Sequence, residues 1–251
     1  MTILFTALLG AALGSFANVI IIRWHENASI TGRSRCPACK KTLRPRHLVP
    51  ILSWMLLRGK CAHCGVQIHF QYPIVEACAA LLAVIAAIRH DPVIDTWSFV
   101  FESVVTIGLI VPVVMDIRWK ELPVEYLVGI GIFSFVFHAI LTFSSISGTI
   151  VAIAGASAFF GLQVLLSRGR WLGQGDVWFG GMMGAILGTP LLTGLAIYMS
   201  YLFGGIFAIV GLLMGAFRRK SRVPFAPALA AGTLVALWHG ERILLWFRMA
   251  T

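Results

Sequence analysis

The chain has 251 residues, of which 59% are hydrophobic and only 12% charged. A soluble domain carries about a quarter charged residues, so this composition excludes an ordinary water-soluble globule. The formal net charge of +10 does not point to nucleic acid, because the basic residues hug the ends of apolar runs, which is how membrane topology distributes them.

A helix that crosses a ~30 Å hydrocarbon layer needs about 20 apolar residues. Such runs are expected at 2–22, 72–89, 97–115, 124–142, 147–167, 177–189, 191–217 and 224–247. The sixth is short and the seventh long, with their boundary at Thr189 and Pro190. The fold class is therefore an all-α polytopic membrane protein of about eight transmembrane helices. Three regions follow: a first transmembrane helix at 1–23, an inserted module at 24–71 and one helical bundle at 72–251. The first run has no basic residue before it and no small-residue cleavage site before Arg23, so it is expected to remain as a helix. With the N-terminus outside, 17 of the 20 Lys and Arg lie in the cytoplasmic loops 23–71, 116–123, 168–176 and 218–223, leaving Arg89, Arg242 and Arg248 on the other side. The positive-inside rule selects this orientation.

Within the inserted module, Cys36-Pro-Ala-Cys39 and Cys61-Ala-His-Cys64 are separated by 21 residues. Each C-x-x-C turn converges two sulfurs, and two such turns complete a tetrahedron of thiolates around a structural Zn²⁺. A closed site has no position for a reacting water, so its role is folding. Two disulfides are the alternative, disfavoured in a cytoplasmic loop where thiols stay reduced. His63 is read as a surface residue and Cys78 as a small packing residue.

Ionisable side chains on membrane helices are functional candidates by default. Asp116 ends the third run in Val-Met-Asp116-Ile-Arg118, and Asp176 opens the sixth in Gly173-Gln-Gly175-Asp176. The topology puts both at the cytoplasmic face. Two carboxyls in a partly dry site share a proton, so that one serves as base and the other as acid, which is aspartyl-protease chemistry. Gly173 and Gly175 would let backbone or substrate approach Asp176. The plainer alternative is a helix cap or a pair with Arg118 or Lys120. Glu102 is set aside as a partner, because 14 helical residues from Asp116 correspond to a rise of about 21 Å. The helix dipole suggests Asp116, near a helix C-terminus, as the protonated member and Asp176, at an N-terminus, as the ionised one.

Taken together, these strings resemble the bacterial type IV prepilin peptidases. Gly14-Ser15-Phe16-Ala17-Asn18-Val19 with Arg23 is similar to the family's first-helix signature, and the paired C-x-x-C to its zinc module. Pro50-Ile-Leu-Ser53-Trp54, Arg58-Gly59-Lys60-Cys61 and Tyr72-Pro73-Ile-Val-Glu76 follow in family order, as do Asp116 with Pro123 and Gly-Gln-Gly-Asp176. Val124 and Trp178 depart from the residues common in the family. The resemblance implies a bacterial inner-membrane aspartyl endopeptidase with Asp116 and Asp176 catalytic. It would remove the short basic leader of a prepilin or pseudopilin, cutting after a glycine at the edge of the substrate's hydrophobic segment. It also implies N-methylation of the new terminus with S-adenosylmethionine as methyl donor.

Glu76, about one turn inside the second run, is read either as an anchor for the module, by a hydrogen bond or a salt bridge to Arg58 or Lys60, or as the carboxylate that receives the new ammonium for methyl transfer. Gly180, Gly184 and Gly188 recur every fourth residue, predicting close approach of a neighbouring helix that helps to carry Asp116 toward Asp176. Two other functions stay open on these residues. One is a cation or proton carrier using Asp116 and Asp176, although both acids lie at one face and no inverted repeat is visible. The other is a catalytically silent secretion-system assembly protein, although neither aspartate motif is lost. The expected partners are the prepilin substrate and the bilayer, with no nucleic acid.

Overall fold

The computed structural model describes residues 2–141, 146–215 and 223–250, with side chains to residue 247. Among these residues the architecture is all-helical: α1 (Thr2–His25), a short α2 (Leu52–Leu56), α3 (Gln71–Arg89), α4 (Thr96–Gly108), α5 (Ile110–Trp119), α6 (Val124–Ile140), α7 (Ile146–Ser167), α8 (Gln174–Leu187), α9 (Pro190–Leu213) and α10 (Ala226–Ala250). Arg218, Arg219, Lys220 and Arg222, counted above in a cytoplasmic loop, lie outside the described residues, as does the side chain of Arg248.

Five stretches are long and apolar enough to cross a membrane: Thr2–His25, Gln71–Arg89, Thr96–Trp119, Ile146–Ser167 and Pro190–Leu213, with Val124–Ile140 a shorter apolar sixth. The expected eight runs all correspond to helices, but five or six meet the test for a span. The 14 residues of α8 rise only about 21 Å. Within Thr96–Trp119 the helix is interrupted at Leu109. Pro112 accounts for the break, since it has no N–H to give the Gly108 carbonyl and its ring crowds that carbonyl.

Two compact units are formed, Met1–Val111 and Pro112–Thr251. In the first, α1 packs on α3 through small residues. A Cβ added at Gly14 would stand 2.8 Å from the Cα of Glu76, so the two backbones meet where any side chain would hold them apart. One turn later Asn18, buried, donates to the Tyr72 carbonyl at 3.1 Å and accepts from Gln71 Nε2 at 3.1 Å. The Gly14-to-Asn18 string is thus a packing surface followed by a polar lock. At the other end of α3, buried Glu102 of α4 pairs with Arg89 at 3.0 Å and His90 at 2.9 Å, and His90 reaches Asp95 at 2.9 Å. Burying that carboxylate requires such partners.

In the second unit α8 is the central element, with α6, α7, α9 and α10 all in contact with it. Its end is well defined. Gly188 adopts φ +67°, the left-handed cap that glycine takes without a Cβ penalty. Thr189 then N-caps α9, accepting from the Leu192 N–H at 3.4 Å, with Pro190 at the first helical position. The boundary expected at Thr189 and Pro190 is where the helices divide. His138 Nε2 donates to the Ile186 carbonyl at 3.0 Å and Thr149 to the Gly188 carbonyl at 3.2 Å, so the buried end of α8 has partners for its open carbonyls.

The glycine face of α8 does admit a neighbour, and that neighbour is α7. A Cβ at Gly184 would lie 2.6 Å from the Ala152 backbone, and one at Gly180 would strike Phe160 and the Ala156 carbonyl. Asp116 stands on α5 and is held from α10, so the glycine face does not carry it. Gly188 serves as a cap and meets His138.

Candidate active site and metal centre

Asp116 and Asp176 are both buried and both held by helix N-termini. Asp176 is the third residue of α8, and its Oδ2 accepts from the Gly173 N–H at 2.9 Å, one half of a capping box, while its own N–H bonds the Gly173 backbone carbonyl at 3.2 Å. Asp116 Oδ2 accepts from the N–H of Ala226, the first residue of α10, at 2.8 Å, with the Phe225 N–H as a further donor. Each carboxyl therefore meets the positive end of a helix dipole. The expectation that the dipole sets Asp116 apart as the protonated member is corrected: Asp116 lies late in its own helix, but its side chain docks on the start of another. The two carboxyls lie within the range at which the charge of one acts on the other. Lys120, one helical turn on, is the cation near Asp116, whereas Arg118 stacks over Trp119 at 4.5 Å.

Gly175 brings the two motifs together. A Cβ there would stand 2.7 Å from the Leu122 Cβ, so the loop after Asp116 lies directly on the turn that carries Asp176. Gly173 is different. With φ −85° and its nearest foreign atom at 3.7 Å, it has room for a side chain, and its contribution is the backbone N–H given to Asp176.

Sequence reasoning missed the amides of Phe225 and Ala226. A signal for them was present, since Pro224 and Pro227 bracket Ala226, and proline in the first positions marks a helix start, where free N–H groups collect.

In the other unit, Cys36, Cys39, Cys61 and Cys64 have all four sulfurs within 4.8 Å of one another. The Cys36 and Cys64 sulfurs are 3.9 Å apart and all four thiols are free. A tetrahedron with metal–sulfur bonds of 2.3 Å has edges of about 3.8 Å, so this donor set can hold a metal ion. Both knuckles share one backbone design. In each, the fourth residue after the first cysteine takes a positive φ and donates back to it: Lys40 to the Cys36 carbonyl at 2.9 Å, Gly65 to the Cys61 carbonyl at 3.0 Å. The backbone N–H groups of His63 and Cys64, turned on the Cys61 sulfur, push that thiol down to about 7, toward the thiolate that binds metal. His63 is exposed, as expected, with its ring edge-on to His47.

Glu76 is buried, and its Oε2 accepts the Ile51 N–H at 2.7 Å, with the Ser15 side chain as another hydrogen-bond partner. Of the module anchors considered, the hydrogen bond is the one formed. Ile51 itself has φ +62° and ψ −54°, and the Leu52 N–H reaches the Pro50 carbonyl at 2.5 Å. This is a γ-turn of the rare, strained hand, at a β-branched residue, and Glu76 holds its amide.

Residues 8–90 match the model of the bacterial peptidase A24 N-terminal domain, and residues 103–209 that of the type IV leader peptidase family. The chain belongs to the type IV leader peptidase family. It is 32% identical to the prepilin leader peptidase/N-methyltransferase of Bacillus subtilis, over 98% of this chain and 97% of that one. To the protein of the same name from Stutzerimonas stutzeri it is 27% identical, over 96% and 92%. To the type 4 prepilin-like proteins leader peptide-processing enzyme of Escherichia coli it is 28% identical, over 91% of each chain. No solved structure matches. The cysteines and Glu76 fall in the first matched region, and both aspartates in the second.

Proposed function

We propose that this multi-pass membrane protein is an aspartyl endopeptidase that removes the leader of a type IV prepilin or pseudopilin at the cytoplasmic face of a bacterial inner membrane, and then N-methylates the new terminus. The observation that carries the first activity is the pair of buried aspartates, each held by a helix N-terminus and close enough to interact. One carboxylate takes a proton from water, whose oxygen attacks the peptide carbonyl. The carboxylic acid of the other hydrogen-bonds the carbonyl oxygen as charge develops there, and the proton then passes to the leaving amine. With the N-terminus outside, the basic loops 23–71, 116–123 and 168–176, of which the first carries the cysteines and the other two adjoin the aspartates, face the cytoplasm by the positive-inside rule.

Zn²⁺ is the metal the four thiolates suit best. Coordinated by all four it has no open position, so its contribution is to fold the module. The supporting observation for methyl transfer is Glu76, a buried carboxylate whose engaged oxygen holds a strained turn. A new ammonium suits such a carboxylate. Loss of a proton frees the nitrogen to attack the methyl carbon of S-adenosylmethionine, whose sulfonium leaves as a neutral thioether.

The test is to mix membranes containing the protein with a tagged prepilin, with and without S-adenosylmethionine, and read the product's N-terminus and mass. Wild type yields a shortened product that gains a methyl group when the donor is present. Asp116→Asn and Asp176→Asn each abolish cleavage while the protein still accumulates in the membrane. Glu76→Gln keeps cleavage and loses the methyl group. Cleavage by either aspartate variant would overturn the two-carboxyl mechanism. Joint loss of both activities in Glu76→Gln would make Glu76 an anchor only.

A further inference from the structure

Two strings of the inserted module, Pro50-Ile-Leu-Ser53-Trp54 and Arg58-Gly59-Lys60, enter neither proposed activity except through the Ile51 amide. They form α2 and the turn that follows it. The inward side of α2 is marked by Trp54. Its indole N–H donates to the Ile68 carbonyl at 3.3 Å, and its ring meets Phe70 edge-on at 4.7 Å. Gly59, at φ +68°, lies against the same ring, where an added Cβ would stand 2.8 Å away. The other side has no protein on it. Leu52, Met55 and Leu56 are 52%, 63% and 73% exposed, and Leu48 and Val49, just before the helix, are exposed as well. A contiguous apolar patch of this kind, in a segment that is not itself a membrane span, marks an interaction surface.

The depth of α2 says what covers that surface. Both α1 and α3 are long and apolar enough to cross a membrane, and α2 is tied between them. Glu76 of α3 accepts the Ile51 N–H at 2.7 Å and also bonds the Ser15 side chain of α1. Ser15 stands seven residues before Ile22, where the first apolar run ends, a distance of about 10 Å along the helix. The start of α2 is therefore level with a part of α1 that lies inside its apolar run, where the surroundings are lipid and not bulk water. The charges agree with this placement. Arg44 and Arg46 precede the apolar stretch, Arg58 and Lys60 follow it, and all four are exposed. An interfacial segment buries its apolar side about 5–10 Å into the headgroup and acyl boundary, while Arg and Lys at its ends reach back to lipid phosphates.

We infer that the face of α2 formed by Leu52, Met55 and Leu56, together with Leu48 and Val49, is seated in the lipid leaflet that surrounds α1 and α3. The module is thus a membrane-docked element that lies against the bilayer instead of projecting from it. Lipid covers the outer side of the segment whose first turn Glu76 holds. The inference needs neither proposed activity, only that α1 and α3 span.

The experiment uses the full-length protein in nanodiscs of phosphatidylcholine and phosphatidylglycerol. A fluorescent amino acid, introduced by codon suppression, replaces Met55, and its quenching by acyl-chain bromines is compared with quenching by aqueous iodide. The same probe in place of Leu8, an exposed residue of the α1 span, gives the lipid reference, and the free amino acid gives the water reference. Bromolipid should quench the probe at position 55 to at least about half the extent seen at position 8, and iodide should quench it several-fold less than the free amino acid. Quenching by iodide equal to that of the free amino acid would place α2 in water and overturn the inference. Protection from both quenchers would overturn it too, because protein and not lipid would then cover this face. Should the protein with the probe at position 55 not accumulate, the probe at Leu56 is read by the same criteria.

Discussion

The cysteine module and the aspartate pair each gather side chains from distant points of the chain, and they do so by opposite means. In the module the work is local. Each knuckle closes by its own backbone bonds, Cys36 N–H to the Lys41 carbonyl at 3.0 Å and Cys61 N–H to the Val66 carbonyl at 2.8 Å, and the four sulfurs need only meet around one ion. The aspartates lie 60 residues apart and depend on contacts between distant segments: the first amide of α10, which belongs to neither motif, and Gly175, which lets Leu122 lie against the start of α8. A site of the first kind stands or falls with its ligands. A site of the second kind can be destroyed by packing while every reactive group is intact.

The largest effect is expected from the metal. Cys36→Ser, or a strong chelator, should release close to one zinc per chain and abolish slow amide exchange in 36–67, because a structural zinc contributes about 10 kcal/mol or more to folding its module. Cleavage should fall far less than in Asp176→Asn. If it is lost as completely, the module belongs to the catalytic machinery and the contrast fails.

Next in size is a change that touches no reactive group. Gly175→Val drives a side chain into Leu122 and should lower cleavage by roughly a hundredfold, the cost of displacing catalytic groups by about an ångström. Combining it with Leu122→Ala should recover part of the loss. Equal rates for wild type and Gly175→Val would show that the two motifs meet by some other route.

Gly184→Leu sharpens the contrast from the side of stability. Its new side chain meets the Ala152 backbone, which cannot move aside as a side chain could, so a loss of about 3 kcal/mol is expected, read as reduced accumulation and a lower midpoint in detergent unfolding. Cleavage per folded molecule should fall far less than in Gly175→Val, since Gly184 lies about two turns along α8 from Asp176. The smallest effect is reserved for Thr189→Ala, which removes one N-cap bond at 3.4 Å and should cost about 1 kcal/mol or less without changing activity. A larger loss would mean that the α8–α9 boundary bears on the site.

What could be read early follows this division. The four-cysteine cluster was legible because its signal is spacing, four thiols in two C-x-x-C turns. The helices were legible because each is a run of apolar residues, and the division at Thr189 and Pro190 because the sixth run is short and the seventh long, whereas Gly188 was read for packing and serves as the cap. The use of Gly180 and Gly184 was half legible: periodicity gave a close-packed face but could not say that α7 covers it. Glu76 was legible as a buried acid and as a hydrogen-bonded anchor, but not as the holder of a strained turn at Ile51, since nothing in Pro-Ile-Leu announces a positive φ.

By itself the sequence determined the helical class, the cysteine cluster, the shortness of α8, and the two acids that stand out against an apolar background. These are properties of single residues and local periodicity, set by desolvation and backbone preference. The tertiary structure decided that Asp116 docks on the start of α10 and that Gly175 receives Leu122. Each of these is a contact between segments far apart in the chain, chosen by how whole helices pack, and no local pattern encodes the partner.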